Sequence, residues 1–215
     1  MRFALGGLLL LVSGLAATPA HAQFGVAWRR PPDIVVVSSA GDPRLQLVDE
    51  AVSFWNKTLE ELGSGFRLGS VEHVVQALPE EALQSLSRAV LEHEREPEIP
   101  PALRHPPGEL TIYLAESGFV SFTDTVDTSS RRVVGIRGPD VPPMSLPNVA
   151  RNVIAHEIGH AIGLGHNGDP ATLMCGRPAP CRPDLFRSDL PRLFPLTDDD
   201  RRQLLKMYPR GWKPR

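Results

Sequence analysis

Cysteine is scarce in this chain. Two in 215 residues allow one disulfide or two thiols, and they exclude a disulfide-dense miniprotein. Charge of one sign is also missing. Lys and Arg number 23 against 25 Asp and Glu, a formal net charge of −2. No broad basic field is therefore available for a nucleic acid or an anionic membrane. After the first fifteen residues no apolar run is long enough to span a bilayer, and no internal repeat is visible. What is present is ordinary for a buried core, with 41% hydrophobic and 22% charged residues. That balance excludes a disordered chain and a collagen-like repeat. Proline is the one excess, at 22, and implies many loops and fixed turns. The length fits one domain.

The first 22 residues read as an address rather than as structure. Arg2 precedes an apolar run over 3–15, and Ala20-His21-Ala22 supplies small residues flanking a cleavage point. This is the pattern of a signal peptide, and the run is short for a membrane anchor. The expected mature chain, 23–215, begins at Gln23, is exported from the cytoplasm and carries no membrane span.

Strands and helices alternate along the rest. Residues 33–38 are a β-branched run between turn formers and predict a buried strand. Asp42 and Pro43 suggest a cap and first helical position, followed by Leu45, Val48, Val52, Trp55, Leu59 and Leu62 on one helical face. Residues 66–75 and 109–114 predict two further strands, and Arg132–Ile136 a fourth. Leu83, Leu86, Val90 and Leu91 form one face of a helix near 79–94, followed by a proline-rich connection. A long helical pattern covers 148–164, and 165–195 is irregular. Thr197, with Asp200 three residues on, caps a last helix. This order predicts an α/β (α+β) domain, helices packed on a mixed twisted sheet, ending in a small irregular C-terminal subdomain with a helix.

The informative string is His156-Glu157-Ile158-Gly159-His160-Ala161-Ile162-Gly163-Leu164-Gly165-His166. Histidines four apart on a helix share a face, so both imidazoles can reach one metal ion. Glu157 can point into the same cleft without ligating. His166 joins them only if the chain turns back sharply, which Gly163 and Gly165 permit. Three neutral imidazoles on Zn²⁺ leave the fourth position to water, the mark of a catalytic site. A bare H-E-x-x-H arises by chance in roughly 1% of chains this long; the glycine and third histidine at set spacing lower that to the order of a few in a hundred thousand.

These residues resemble the signature of the metzincin metalloproteases, H-E-x-x-H-x-x-G-x-x-H followed by a methionine turn. Met174, eight residues after His166, is similar to that methionine. The spacing, Pro170, and the closing Leu196-Thr197 helix look most like the matrixin branch, whose catalytic domain would span 23–215. The resemblance implies a zincin-like fold and a secreted zinc metalloendopeptidase. His156, His160 and His166 would bind one catalytic Zn²⁺. Glu157 would be the general base for attack by water on a peptide bond. Met174 would form an apolar floor, and the loop after it, with Val153, would shape a specificity pocket. A strand between 118 and 137 would pair with an extended substrate. The expected partner is a protein or peptide substrate, with no nucleic acid, and the expected state is a monomer.

The chain also departs from that family. Cys175 and Gly176 stand where matrixins usually carry tyrosine and proline. The helical and proline-rich stretch at about 76–108 has no obvious counterpart and is expected either as a flap near the cleft or as structure. A cysteine prosegment, a histidine–aspartate set for a structural zinc and a clear calcium loop are not seen. Cys175 and Cys181 are expected to close a small disulfide loop outside the cytoplasm. The other reading makes Cys181 a thiolate ligand blocking zinc, since Cys181-Arg182-Pro183-Asp184 faintly echoes an inhibitory cysteine segment. A rival for the whole chain is a catalytically silent zinc-containing binding module, against which Glu157 argues, because such a module needs no base. A zinc hydrolase outside the metzincins, with a distant glutamate as third ligand, is made unnecessary by His166.

Overall fold

The computed structural model of the chain describes residues 26–92, 97–126, 131–176, 180–185, 188 and 190–215. The expected signal peptide lies outside them. The elements are β1 (Ile34–Ser38), α1 (Leu45–Glu61), β2 (Val71–Val75), α2 (Glu80–Leu91), a 3-10 turn (Pro101–Leu103), β3 (Leu110–Leu114), β4 (Phe122–Thr125), β5 (Arg132–Ile136), α3 (Pro147–Ala161) and α4 (Asp198–Met207). The five strands form one sheet in the order β2-β1-β3-β5-β4. All neighbours are parallel except β4, which runs antiparallel to β5 at the edge.

Every residue of β1, β3 and β5 is buried, because both faces of the sheet are covered. Side chains alternate between two cores. Ile34, Val36, Leu110, Ile112, Leu114, Val134 and Ile136 face α1 and α3. Val35, Val37, Tyr113 and Val133 face the other way, against Leu83 and Leu86 of α2 and Leu103. The described part of the stretch at 76–108 thus packs on the second sheet face, through Leu78, Leu83, Leu86, Val90, Ile99 and Leu103. It has its own apolar cluster.

Several boundaries differ from the sequence reading. Strand β2 begins at Val71 rather than 66, because Phe66 and Leu68 enter the first core as irregular chain. Helix α1 starts at Leu45. Asp42 stands just ahead of that start, where its carboxylate accepts from the backbone N–H of Arg44 at 2.8 Å, as an N-capping side chain does, and pairs with the Arg44 guanidinium at 2.6 Å. The capping box of α4 forms as expected. Thr197 Oγ1 accepts from Asp200 N–H at 3.1 Å, and the Asp200 carboxylate accepts from Thr197 N–H at 2.9 Å.

The α1–α3 contact positions the site. Trp55 is fully buried and its indole N–H donates to the Ala155 carbonyl at 2.9 Å. Gly159 lies opposite: a Cβ there would stand 2.8 Å from Trp55 Cζ2 and 2.5 Å from Met174 Sδ. Only a residue without a side chain lets the two helices and Met174 meet this closely.

Candidate metal centre

Helix α3 carries His156, Glu157 and His160, all buried. Its C-terminus is closed by hydrogen bonds of the Schellman type. Leu164 N–H donates to Gly159 O at 3.0 Å and Gly163 N–H to His160 O at 2.9 Å, with Gly163 at φ 104° as the left-handed residue such an ending requires. Gly165 is not left-handed, so Gly163 alone makes the turn. The remaining end carbonyls are also satisfied. Ala161 O accepts from the Trp28 indole at 2.8 Å, Ile162 O from the Tyr208 hydroxyl at 3.0 Å and Gly163 O from Gln203 at 3.1 Å.

This ending delivers His166 beside the helix. Its neighbour Asn167 is pinned from three sides. Asn167 N–H donates to Met174 O at 2.8 Å, Gly176 N–H donates to Asn167 O at 3.0 Å, and the Asn167 amide donates to Asp200 at 3.0 Å. Gly176 lies directly against the His166 ring, where a Cβ would stand 2.2 Å from His166 Cγ. The glycine that stands where matrixins usually carry proline is thus required here by contact.

The three Nε2 atoms converge. They are 3.2 Å apart between His156 and His166, 3.0 Å between His156 and His160, and 3.0 Å between His160 and His166. His156 Nδ1 donates to Leu173 O at 2.7 Å and His160 Nδ1 to Leu164 O at 2.8 Å. Since a carbonyl can only accept, each ring proton is held on the outer nitrogen and each Nε2 keeps its lone pair. Two acceptors 3.0 Å apart cannot hydrogen-bond each other, but a cation between them satisfies both. The spacing is within a few tenths of an ångström of the edge of a zinc tetrahedron, about 3.3–3.4 Å for Zn–N bonds of about 2.0–2.1 Å. The donor set fits a metal. Burial, and then neighbouring positive charge, lowers the pKa of His156 well below the usual value and that of His160 to about 3. Burial also lowers that of His166. All three shifts run in the direction that favours the neutral ring, the form that ligates.

Glu157 is buried, and burial raises its pKa to about 7 against the opposing effects of Thr123 and Arg182. Thr123 of β4 places its hydroxyl 2.9 Å from Glu157 Oε2 and 2.8 Å from Glu157 O. Met174 is fully buried, packed on Gly159 between the two helical histidines. Cys175 and Cys181 are joined as a disulfide. Both sulfurs are consumed by that bond, which overturns the reading of Cys181 as a thiolate ligand.

Two groups at the site escape the sequence. Thr123 lies 33 residues before His156, and no spacing links a threonine in a four-residue strand to a distant helix. Arg182 follows the disulfide with φ 52°, the one left-handed residue other than glycine among those described. Its Nη1 donates to Leu173 O at 2.9 Å, the oxygen that also holds His156. A fixed positive charge therefore stands behind the first histidine. The segment is visible in the sequence only as text after Cys181.

No protein-family model and no curated protein matches the chain. Solved structures of similar shape include the following two. One, a chaperone–substrate complex, matches 68% of this chain and 27% of its own, at 17% identity and a TM-score of 0.42. The other, metalloproteinase-II from Bacteroides fragilis, matches 86% of this chain and 55% of its own, at 13% identity and a TM-score of 0.46. The chain spans about a quarter and about half of their respective lengths. At these scores neither likeness bears on function, which rests on the geometry of the site.

Proposed function

We propose that this chain is an exported zinc-dependent metalloendopeptidase whose mature domain, 23–215, follows a cleaved signal peptide. The observation that carries the reading is the convergence of three Nε2 lone pairs, two of them fixed by carbonyls on the far side of the ring, beside a buried carboxylate. His156, His160 and His166 would hold the ion. Bound there, zinc supplies Lewis acidity, polarising a peptide carbonyl and bringing the pKa of water toward neutrality. Glu157 takes the proton from the attacking water and returns it to the leaving amine. Met174 and Gly159 keep the floor beneath the histidines apolar and rigid.

β4 is the edge of the sheet, and Thr123 on it touches Glu157. A peptide adding to the open edge of β4 would pass the carboxylate, with backbone hydrogen bonds supplying affinity independent of sequence. Val153 and the loop closed by the disulfide would bound the adjoining pocket. A disulfide suits an oxidising compartment, and no helix among the described residues is long and apolar enough to cross a membrane. One domain acting alone as a monomer is the simplest assembly for this function.

The test is direct. The mature protein should contain about one zinc per chain and cleave an unfolded protein. A chelator should abolish cleavage and added zinc should restore it. Metal bound without any hydrolysis would favour the silent binding module instead.

Thr123 provides a finer test of the same arrangement. Thr123→Val keeps the shape but removes the donor, leaving the carboxylate without its partner. The expected loss is about tenfold in kcat with KM unchanged, and Thr123→Ser should recover it. Equal activity in the valine variant, or equal loss in the serine variant, would refute a positioning role.

A further inference from the structure

A cavity of about 470 Å³ lies where α2 meets the segment between β3 and β4, away from the histidines. Its lining includes Gln84, Arg88 and Leu91 of α2, Phe119, and Arg137 just after β5. Among the described residues no carboxylate lines it. Neither guanidinium is engaged in a hydrogen bond or ion pair among the described residues, and Arg137 Nε is buried without a partner. Two like charges sharing one cavity, with apolar wall beside them, make a site whose missing component is an anion.

The walls are fixed in advance. The Glu80 carboxylate accepts from the backbone N–H groups of Glu116 at 2.8 Å and Ser117 at 3.2 Å, and from the Ser117 hydroxyl. Ser87 Oγ donates to Val120 O at 2.7 Å. On the other wall, Arg137 N–H donates to Ser121 Oγ at 3.2 Å, and Arg44 Nη1 donates to Arg137 O at 2.7 Å. Gly138 meets Glu116 backbone to backbone, since a Cβ there would stand 2.0 Å from Glu116 O. Burial of α2 against the sheet thus builds a rigid frame around two uncommitted cations.

Its position relates it to the metal centre. Val120 lines the cavity and Thr123, three residues on, touches Glu157. Their Cα atoms are at most about 11 Å apart along the chain. A strand added to β4 would therefore reach the cavity three to five residues from the bond being cleaved.

We propose that this cavity is an accessory binding site for an acidic side chain of the polypeptide substrate, taken up by Arg88 and Arg137 beside the apolar wall of Leu91 and Phe119. The proposal rests on the endopeptidase reading and adds substrate selection to it. Selection acts in binding, so it appears in KM rather than kcat.

The experiment uses the full mature protein and one cleavable peptide remade with Glu, Gln or Lys three to five residues from the scissile bond, on each side in turn. At one position or more the Glu peptide should be cleaved with a KM about tenfold below that of the Gln peptide, a preference that fades at high salt. Arg88→Gln and Arg137→Gln should each erase most of that difference while leaving cleavage of the Gln peptide unchanged. Arg88→Glu, at an exposed position of α2, should shift preference to the Lys peptide. Equal cleavage of Glu and Gln peptides throughout would overturn the proposal, as would a preference that survives the double Gln variant. If the protein cleaves no peptide, anisotropy of the labelled Glu peptide still decides. Binding lost in Arg88→Glu upholds the cavity while the endopeptidase reading fails, and absence of binding overturns the cavity.

Discussion

Glu157→Gln is expected to leave one zinc per chain and to lower kcat by about 10²–10⁴, the usual worth of a positioned acid–base group. The substitution is close to isosteric. A glutamine oxygen can still accept from Thr123 Oγ1, 2.9 Å from Oε2 in the native protein, so the link from β4 to α3 survives. What the amide cannot do is carry a proton from water to the leaving nitrogen. Metal content should not change, because among the described residues the converging donors are those of His156, His160 and His166. Metal analysis beside peptide hydrolysis separates these effects. Full activity would remove Glu157 from the mechanism, and loss of zinc would make it a ligand. Glu157→Ala should match the loss of activity with a larger loss of stability, since it also leaves the Thr123 hydroxyl facing a hole.

How much of this arrangement was legible in the sequence depends on whether a residue's role is set by near neighbours. The helical histidines were legible because α3 itself brings positions 156 and 160 to one face. The Thr197–Asp200 box was legible for the same reason. β1 announces itself as a short β-branched run and β3 as a short, mostly apolar one, both buried on both faces. β4 does not. Phe-Thr-Asp-Thr has one large apolar residue and becomes a strand through pairing with β5, a tertiary effect that local propensity does not carry. The early start expected for β2 failed because Phe66 and Leu68 are apolar for another reason. Phe66 stacks on Tyr208 at 4.1 Å between ring centroids, a contact made across the chain. Thr123, Arg182 and the contact that demands Gly176 are likewise products of the fold, and no spacing rule reaches them.

His166→Ala carries the second large effect, on the metal itself. Substituting residues that merely orient metal ligands lowers affinity by about 10–100-fold, so removal of a ligand should lower zinc affinity by more than about 100-fold. His166 is the favourable position for this test. His156 and His160 are buried within α3, where truncation would open a cavity and confuse affinity with folding. His166 is exposed and rests on Gly176, so alanine fits there without a void. The metal-free variant should melt where the metal-free native protein does. Zinc at a hundred times its dissociation constant stabilises the native protein by about 2.7 kcal/mol, which for a domain of this size raises Tm by roughly 5–10 °C. At that zinc concentration the variant should gain only about a seventh of that rise or less, since its weaker site is half-filled at best. Thermal melts with and without zinc read both quantities in one series. A variant that keeps the full zinc-dependent rise would take His166 out of the ligand set and leave the sharp turn at Gly163 without a purpose. A variant already unstable without metal would instead show that His166 supports the loop at Asn167 and Gly176 directly. The hydrogen bonds of Asn167 to Met174 and Asp200 argue against that outcome, because they hold the loop whether or not the ring is there.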